Sequence, residues 1–101
     1  MSCCEDSGNA AGGASVAADA QQKFHEFMKA AAAPGKLDAR AKRAVAVALS
    51  VLARCEPCLR IHIKKALDAG LSQEEIDEAA WMAVSFGGSP VMMFYSSVKD
   101  A

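Results

Sequence analysis

The sequence has no threonine, only three prolines and few aromatic residues, which make up 6% of its 101 residues. It also lacks any apolar run of 18 residues, so no segment is predicted to cross a membrane. Eleven lysines and arginines stand against twelve acidic residues, which leaves a formal net charge of −1. This balance provides no basic stripe that could follow a phosphate backbone, so we expect no nucleic acid partner.

Cysteine is also scarce, and its spacing is informative. Four cysteines are too few for a secreted domain held together by disulfides, and they occur as two close pairs, Cys3-Cys4 and Cys55 with Cys58. Such pairs favour redox or metal chemistry in a reducing compartment. The first residues, Met-Ser-Cys-Cys-Glu-Asp, show neither the basic nor the apolar segment of a secretory signal. We therefore expect a cytoplasmic protein without a membrane partner.

The composition of the chain predicts its organisation. Residues 1–14 are rich in serine, glycine and alanine and bury too little apolar surface to offset ordering entropy, which predicts a flexible leader. The rest of the chain, 15–101, has the length of one small domain. It is rich in alanine, has few β-branched runs and concentrates glycine and proline at breaks, so an all-α fold is predicted.

Cap and turn residues divide this domain into a compact bundle of about five helices. Asp38 is predicted to cap the second helix, whose apolar residues lie on all sides and mark it as the central, buried helix. Ser72 and Glu75 fit a capping box at the start of the fourth. The predicted helices are Val16 to Ala32, Ala39 to about Ala53, Glu56 or Pro57 to just before Gly70, Ser72 to Gly87-Gly88, and Ser89 onward.

Three side chains of the third helix form one constellation. At 100° per residue Cys55, Cys58 and His62 fall on one side of the helix, at the edge of its apolar face, in a partly shielded position. The helix N-terminus stabilises a thiolate, and Arg54 adds to that effect. His62 can accept the proton of Cys58 or pair with its thiolate, and the two cysteines are close enough to close a disulfide. The pattern indicates a peroxide-reducing or disulfide-exchanging site.

A metal site is the chemical alternative. The same three side chains could bind zinc, but structural zinc sites usually have four ligands. The other candidates are His25 and the Cys3-Cys4 pair, neither of which has the spacing of a zinc motif. We therefore predict neither a metal nor a cofactor.

The later helices carry more apolar side chains than one small chain can cover. Trp81 and Met82 lie on opposite flanks of the apolar stripe of the fourth helix, and residues 91–95 point in all directions around the fifth. Ile61 adds to this surplus on the polar side of the third helix. Large exposed apolar patches usually mark interfaces, so we predict a homo-oligomer.

Residues 53–62, Ala-Arg-Cys-Glu-Pro-Cys-Leu-Arg-Ile-His, carry a resemblance to a known family. Together with Ala-Leu-Asp-Ala-Gly-Leu-Ser at 66–72 and Glu-Glu-Ile at 74–76, they resemble the alkylhydroperoxidase D-like core of the carboxymuconolactone decarboxylase family. The resemblance covers about residues 37–99. The combination of Cys-x-x-Cys-x-x-x-His with the glycine break and the following helix start is specific, much more so than any one of its parts.

The resemblance implies an all-helical protein that assembles as trimers or hexamers, with its active site near a subunit interface. It implies a thiol peroxidase acting on hydroperoxides. By this analogy Cys58 attacks the peroxide and becomes a sulfenic acid, Cys55 resolves it as a disulfide, and His62 relays the proton. An external dithiol, either a lipoyl group or a thioredoxin-like protein, then regenerates the pair.

The sequence departs from the family pattern at two positions. Active alkylhydroperoxidase D proteins place a glutamate about a dozen residues before the first cysteine, where this chain has Arg43, and some relatives have a histidine where it has Pro57. Two alternatives therefore stay beside the peroxidase: a non-enzymatic oligomeric helical module that senses redox state or holds a metal, and a carboxymuconolactone decarboxylase-type enzyme. The decarboxylase branch lacks the cysteine pair.

Overall fold

The computed structural model describes residues 15–100, which contain five helices and no strand. The helices are α1 (Val16–Ala32), α2 (Ala39–Ala53), α3 (Glu56–Asp68), α4 (Gln73–Gly87) and α5 (Ser89–Lys99). The predicted all-α fold with about five helices is confirmed. The flexible leader predicted for residues 1–14 lies outside the described residues. None of the helices in the described part of the chain is long and apolar enough to cross a membrane.

Helix α1 belongs to a compact unit of its own, separate from the unit that contains the other four helices. The Oγ of Ser15 accepts a hydrogen bond from the backbone N–H of Ala18 at 2.9 Å, which caps the helix. The rings of Phe24 and Phe27 lie 6.3 Å apart on a surface where both side chains are exposed. A single domain over residues 15–101 stays a prediction.

Helix α2 is the centre of the second unit, because it packs against α3, α4 and α5. The predicted cap at Asp38 is present, with its carboxylate accepting from the N–H of Ala41. Val47 and Val51 are fully buried, whereas Leu49, on another face, is 58% exposed. The prediction that α2 is buried all round is therefore wrong for this face, since the three neighbouring helices cover the other side of α2.

The turn from α3 to α4 is fixed by glycine and an arginine. Gly70 adopts a φ of +94°, as predicted for a residue that ends a helix, and its carbonyl accepts from Arg40 of α2 at 2.8 Å. The same guanidinium pairs with Glu75 at 2.7 Å, and Glu75 completes the predicted capping box with Ser72. The hydrogen bond from the Ser72 backbone and the guanidinium of Arg40 hold the pKa of Glu75 below its usual value.

The turn from α4 to α5 depends on close packing at a second glycine. A Cβ atom at Gly87 would collide with Val91 and would lie 3.2 Å from the side chain of Leu52. Further along, the hydroxyl of Tyr95 donates to the carboxylate of Asp77, which ties α5 back to α4. Gly87 therefore serves helix packing, whereas Gly88 supplies a positive φ of 77° at the turn.

The core of the second unit contains four fully buried large side chains, which are Val47, Val51, Leu59 and Ile76. They come from α2, α3 and α4, so removing one of them leaves a cavity between helices.

We expect Leu59→Ala to lower the free energy of unfolding by about 2–5 kcal/mol, because it removes buried methyl groups and leaves a cavity. Leu67→Ala on the same helix is the matched control, since Leu67 is 47% exposed. Urea unfolding followed by circular dichroism measures both. Equal losses for the two variants would contradict the position of Leu59 in the core.

Candidate functional site

The junction between α2 and α3 places the first cysteine. Arg54, which follows α2, adopts the left-handed conformation with φ 54° and ψ 46°, a region that costs a residue with a side chain roughly 1–2 kcal/mol. Its N–H and that of Cys55 donate back to the carbonyls of Val51 and Ser50 at 3.0 and 3.2 Å. Arg54 therefore ends α2, and the next residue, Cys55, is already the N-cap of α3.

The two cysteines at the start of α3 form a disulfide. Their sulfur atoms lie 2.11 Å apart, and their Cα atoms are separated by 5.3 Å. The Sγ of Cys55 also accepts a hydrogen bond from the backbone N–H of Cys58 at 3.3 Å, in the manner of a side-chain cap. When the pair is reduced, this N–H and the positive end of the α3 dipole stabilise a thiolate on Cys55.

The pair lies at the edge of the core, with its two members exposed to different degrees. Leu59 and Ala66 of the same helix are fully buried, Cys55 is half-buried, and Cys58 is exposed in the single chain. The partial shielding that the helical pattern predicts is therefore present at Cys55 and not at Cys58. An exposed Cys58 is accessible to a small oxidant and to an external thiol.

His62 lies one turn after Cys58 and is half-buried. Its Nδ1 is buried and has no hydrogen-bond partner among residues 15–100. Desolvation lowers the pKa of His62 below its ordinary value of 6.5, and the positive charges of Lys65 and Arg43 lower it further. At neutral pH the imidazole is therefore uncharged, which is the form that accepts a proton.

Arg43 reaches the site from α2, where it is half-buried. A carboxylate in its place would favour the imidazolium form of His62, whereas the guanidinium disfavours it. The sequence indicates Arg43 through the family pattern. The effect of Lys65 on His62 could have been predicted only from their spacing of three residues, which makes the two side chains neighbours on a helix. The sequence analysis above did not use that spacing.

Metal ligands are not grouped in the described part of the chain. Within residues 15–100, no three histidine, cysteine or acidic side chains lie close enough together to hold a metal ion. Cys3 and Cys4, which the sequence offers as further ligands, lie outside the described residues. A surface groove of about 250 Å³ between Arg60 and Lys99 contains none of the predicted site residues, and the two cations pair with Glu56 and Asp77.

We expect Arg43→Gln to raise the pKa of His62 toward 6.5, because the substitution removes one of the two cations that disfavour the imidazolium. An NMR titration of the imidazole resonances measures the shift, and Arg60→Gln, whose guanidinium is paired with Glu56, is the control. A lower or unchanged pKa in Arg43→Gln would contradict this assignment.

The same pKa has a consequence for stability. The folded protein binds the proton of His62 less readily than the unfolded chain does. Above about pH 6.5 His62 is neutral in both the folded and the unfolded chain, so its ionisation does not reduce the free energy of unfolding. As the pH falls from there through the lowered pKa of the folded state, the unfolded chain binds the proton first and the free energy of unfolding decreases.

Comparison with known proteins places this chain among relatives of the same fold. An uncharacterized protein of Cupriavidus necator is 36% identical over 77 residues, which cover 76% of this chain and 68% of the relative. A Legionella pneumophila protein described as a carboxymuconolactone decarboxylase family protein superposes with a TM-score of 0.76 at 30% identity, covering 82% of this chain and 74% of that chain.

A third relative carries a functional description. A Thermotoga maritima protein, described as a family member and a candidate for a role in the antioxidative response, has a TM-score of 0.75 and 32% identity, with coverage of 80% and 84%. The sequence profile of the carboxymuconolactone decarboxylase family matches residues 18–98, which is most of the chain. The chain therefore belongs to the carboxymuconolactone decarboxylase family.

Proposed function

We propose that the protein is a thiol-dependent peroxidase that reduces hydroperoxides with the Cys55–Cys58 pair and uses His62 as proton acceptor and donor. The observation that carries the proposal is a disulfide-forming pair at the start of α3, one turn from a histidine whose pKa is lowered. The Thermotoga maritima relative, with its suggested antioxidative role, supports the same chemistry.

In the oxidative step Cys58 is the attacking residue, because it is exposed and precedes His62 by one turn. Neutral His62 takes the thiol proton, and the thiolate attacks the terminal oxygen of the hydroperoxide. The O–O bond breaks as the S–O bond forms, and the departing alkoxide takes the proton from His62 and leaves as the alcohol. Cys58 becomes a sulfenic acid.

In the resolving step the sulfur of Cys55 attacks the sulfur of Cys58. The S–S bond forms, the S–O bond breaks, and the hydroxide leaves as water with the proton of the Cys55 thiol. The balance is one hydroperoxide and two thiols converted to one alcohol, one water and one disulfide. The Cα separation of 5.3 Å allows this bond without movement of the helix.

The cycle closes through an external dithiol, either a lipoyl group or a thioredoxin-like protein. Its thiolate attacks the exposed residue Cys58, and the electrons of the broken S–S bond leave on Cys55. The backbone N–H that already bonds to the Cys55 sulfur stabilises the departing thiolate. The second thiol of the donor then releases the mixed disulfide. A redox sensor would use the same disulfide, but it would be oxidised once per chain without sustained turnover.

We expect Cys58→Ser to abolish hydroperoxide consumption and His62→Ala to slow it roughly 100-fold, since a positioned general base contributes at least that much. The assay follows loss of hydroperoxide with excess dihydrolipoamide, in a parent protein that carries Cys3→Ser and Cys4→Ser. The same assay with reduced thioredoxin distinguishes the two classes of reductant.

A mass measurement tests whether hydroperoxide oxidises the pair of Cys55 and Cys58. Intact mass after one equivalent of hydroperoxide should show a reversible loss of two hydrogens, with peptide mapping assigning it to Cys55 and Cys58. A Cys58→Ser protein as active as the parent would refute the peroxidase proposal. A parent that forms the disulfide once and does not turn over with either dithiol would favour the redox sensor.

We also propose that the protein forms a homo-oligomer, as a trimer or a hexamer. Several large apolar side chains remain exposed on α2 and α4, and such surfaces usually mark interfaces. They are Val45, Leu49, Leu52, Trp81, Met82 and Phe86.

We expect Phe86→Glu to shift the protein to a smaller species in sedimentation velocity, because it places a charge on the most exposed of these side chains, which is 81% exposed. The parent is expected at three or six times the chain mass of 10.5 kDa. Gln73→Lys, a charge change of the same size at an exposed polar position about 180° around α4 from Met82, should leave the sedimenting species unchanged. A parent that sediments as a single chain would refute the assembly.

A further inference from the structure

Helix α1 has an apolar side that residues 15–100 leave uncovered. Its large apolar side chains recur at helical spacing on one side of the helix and form one stripe, here named the α1 stripe, which consists of Phe24, Phe27 and Met28. These side chains are 42–65% exposed, and no residue of α1 is buried. Because most of the stability of a helix in a protein comes from the packing of its apolar face, the α1 stripe needs a partner.

A second stripe of the same kind lies on the outer face of α2. Its members are Val45, Leu49 and Leu52, whose spacings of four and three residues place them within a sector of about 60°. This α2 stripe is 40–58% exposed and lies on the side of α2 opposite to the buried residues Val47 and Val51. It therefore also needs a partner.

The two stripes match in shape. The rings of Phe24 and Phe27 lie 6.3 Å apart and form the raised part of the α1 stripe. Along the α2 stripe, Ala41 and Ala48 recur at helical spacing beside the larger side chains, and their small size leaves hollows that rings can fill. From this match we infer that α1 of one copy of the chain packs on the α2 stripe of a second copy, which packs its own α1 on the first. This exchange rests on the proposed homo-oligomer.

The area of contact favours a reciprocal exchange between two copies. A large apolar side chain offers roughly 200 Å², so the half-exposed residues of two facing stripes bury on the order of 600 Å². One docked helix thus falls short of the roughly 1,200 Å² of a specific interface, whereas two helices exchanged by the same pair of copies reach it. Packing the α2 stripe on another α2 stripe would leave both α1 stripes in water.

The exchange also bears on the size of the assembly. A reciprocal contact relates two copies by a two-fold axis, with the same surface given and received on each side. Three such pairs build a hexamer, whereas three chains cannot all be paired. Of the two proposed assemblies, the exchange therefore selects the hexamer.

Photo-cross-linking of the full chain tests the exchange. Phe27→p-benzoylphenylalanine places a photoreactive ring in the α1 stripe, and we expect irradiation to give a product of two chains in denaturing mass spectrometry. Trypsin should release residues 24–29 joined to residues 44–54, the peptide that contains the α2 stripe. Gln22→p-benzoylphenylalanine, about 140° around α1 from Phe27, is the matched control and should not give this product.

A second measurement does not depend on the photoreactive ring. We expect Phe27→Glu to reduce the sedimenting mass, because the exchange would bury the added charge against apolar side chains. Lys29→Gln changes the charge by the same amount on the other side of α1 and should leave the mass unchanged. Circular dichroism of both variants checks that their helix content is that of the parent.

The outcomes separate the exchange from the assembly. A cross-link within one chain would overturn the exchange, as would the absence of any two-chain product. Two chains joined through residues 24–29 of both, or through residues 66–99, would also overturn it and leave the homo-oligomer standing. If the parent sediments as a single chain, the homo-oligomer fails and the exchange fails with it.

Discussion

The left-handed turn at Arg54 determines where the reactive groups of this molecule lie. Helix α2 is held in place by Val47 and Val51 at the centre of its unit, so its end has a fixed position. The turn makes the next residue, Cys55, the N-cap of α3, and Leu59 of that helix is buried in the same core. Because one residue of a helix corresponds to 100°, a longer connection would rotate α3 and carry the cysteines and the histidine away from the edge of the core.

Local chemistry explains why so much of the fold could be predicted from the sequence. Asp38, Gly70 and the Ser72 capping box each act on backbone groups within four residues, so their effect does not depend on the rest of the chain. The left-handed conformation of Arg54 could not be predicted from the residue type, because arginine does not favour a positive φ. The exposed face of α2 could not be predicted either, since apolar residues on all sides do not reveal how many neighbours will cover them.

The identity of residue 43 changes the electrostatic balance of the site. A carboxylate near a histidine stabilises the imidazolium and can share its proton, which suits a relay of two groups. A guanidinium has no proton to give at any ordinary pH, so Arg43 cannot replace a glutamate in that role. Burial lowers the pKa of His62 most, and the charges of Lys65 and then Arg43 lower it further, so that the guanidinium contributes to keeping the imidazole uncharged. In the proposed reaction, a neutral His62 would take the thiol proton and return it to the departing alkoxide.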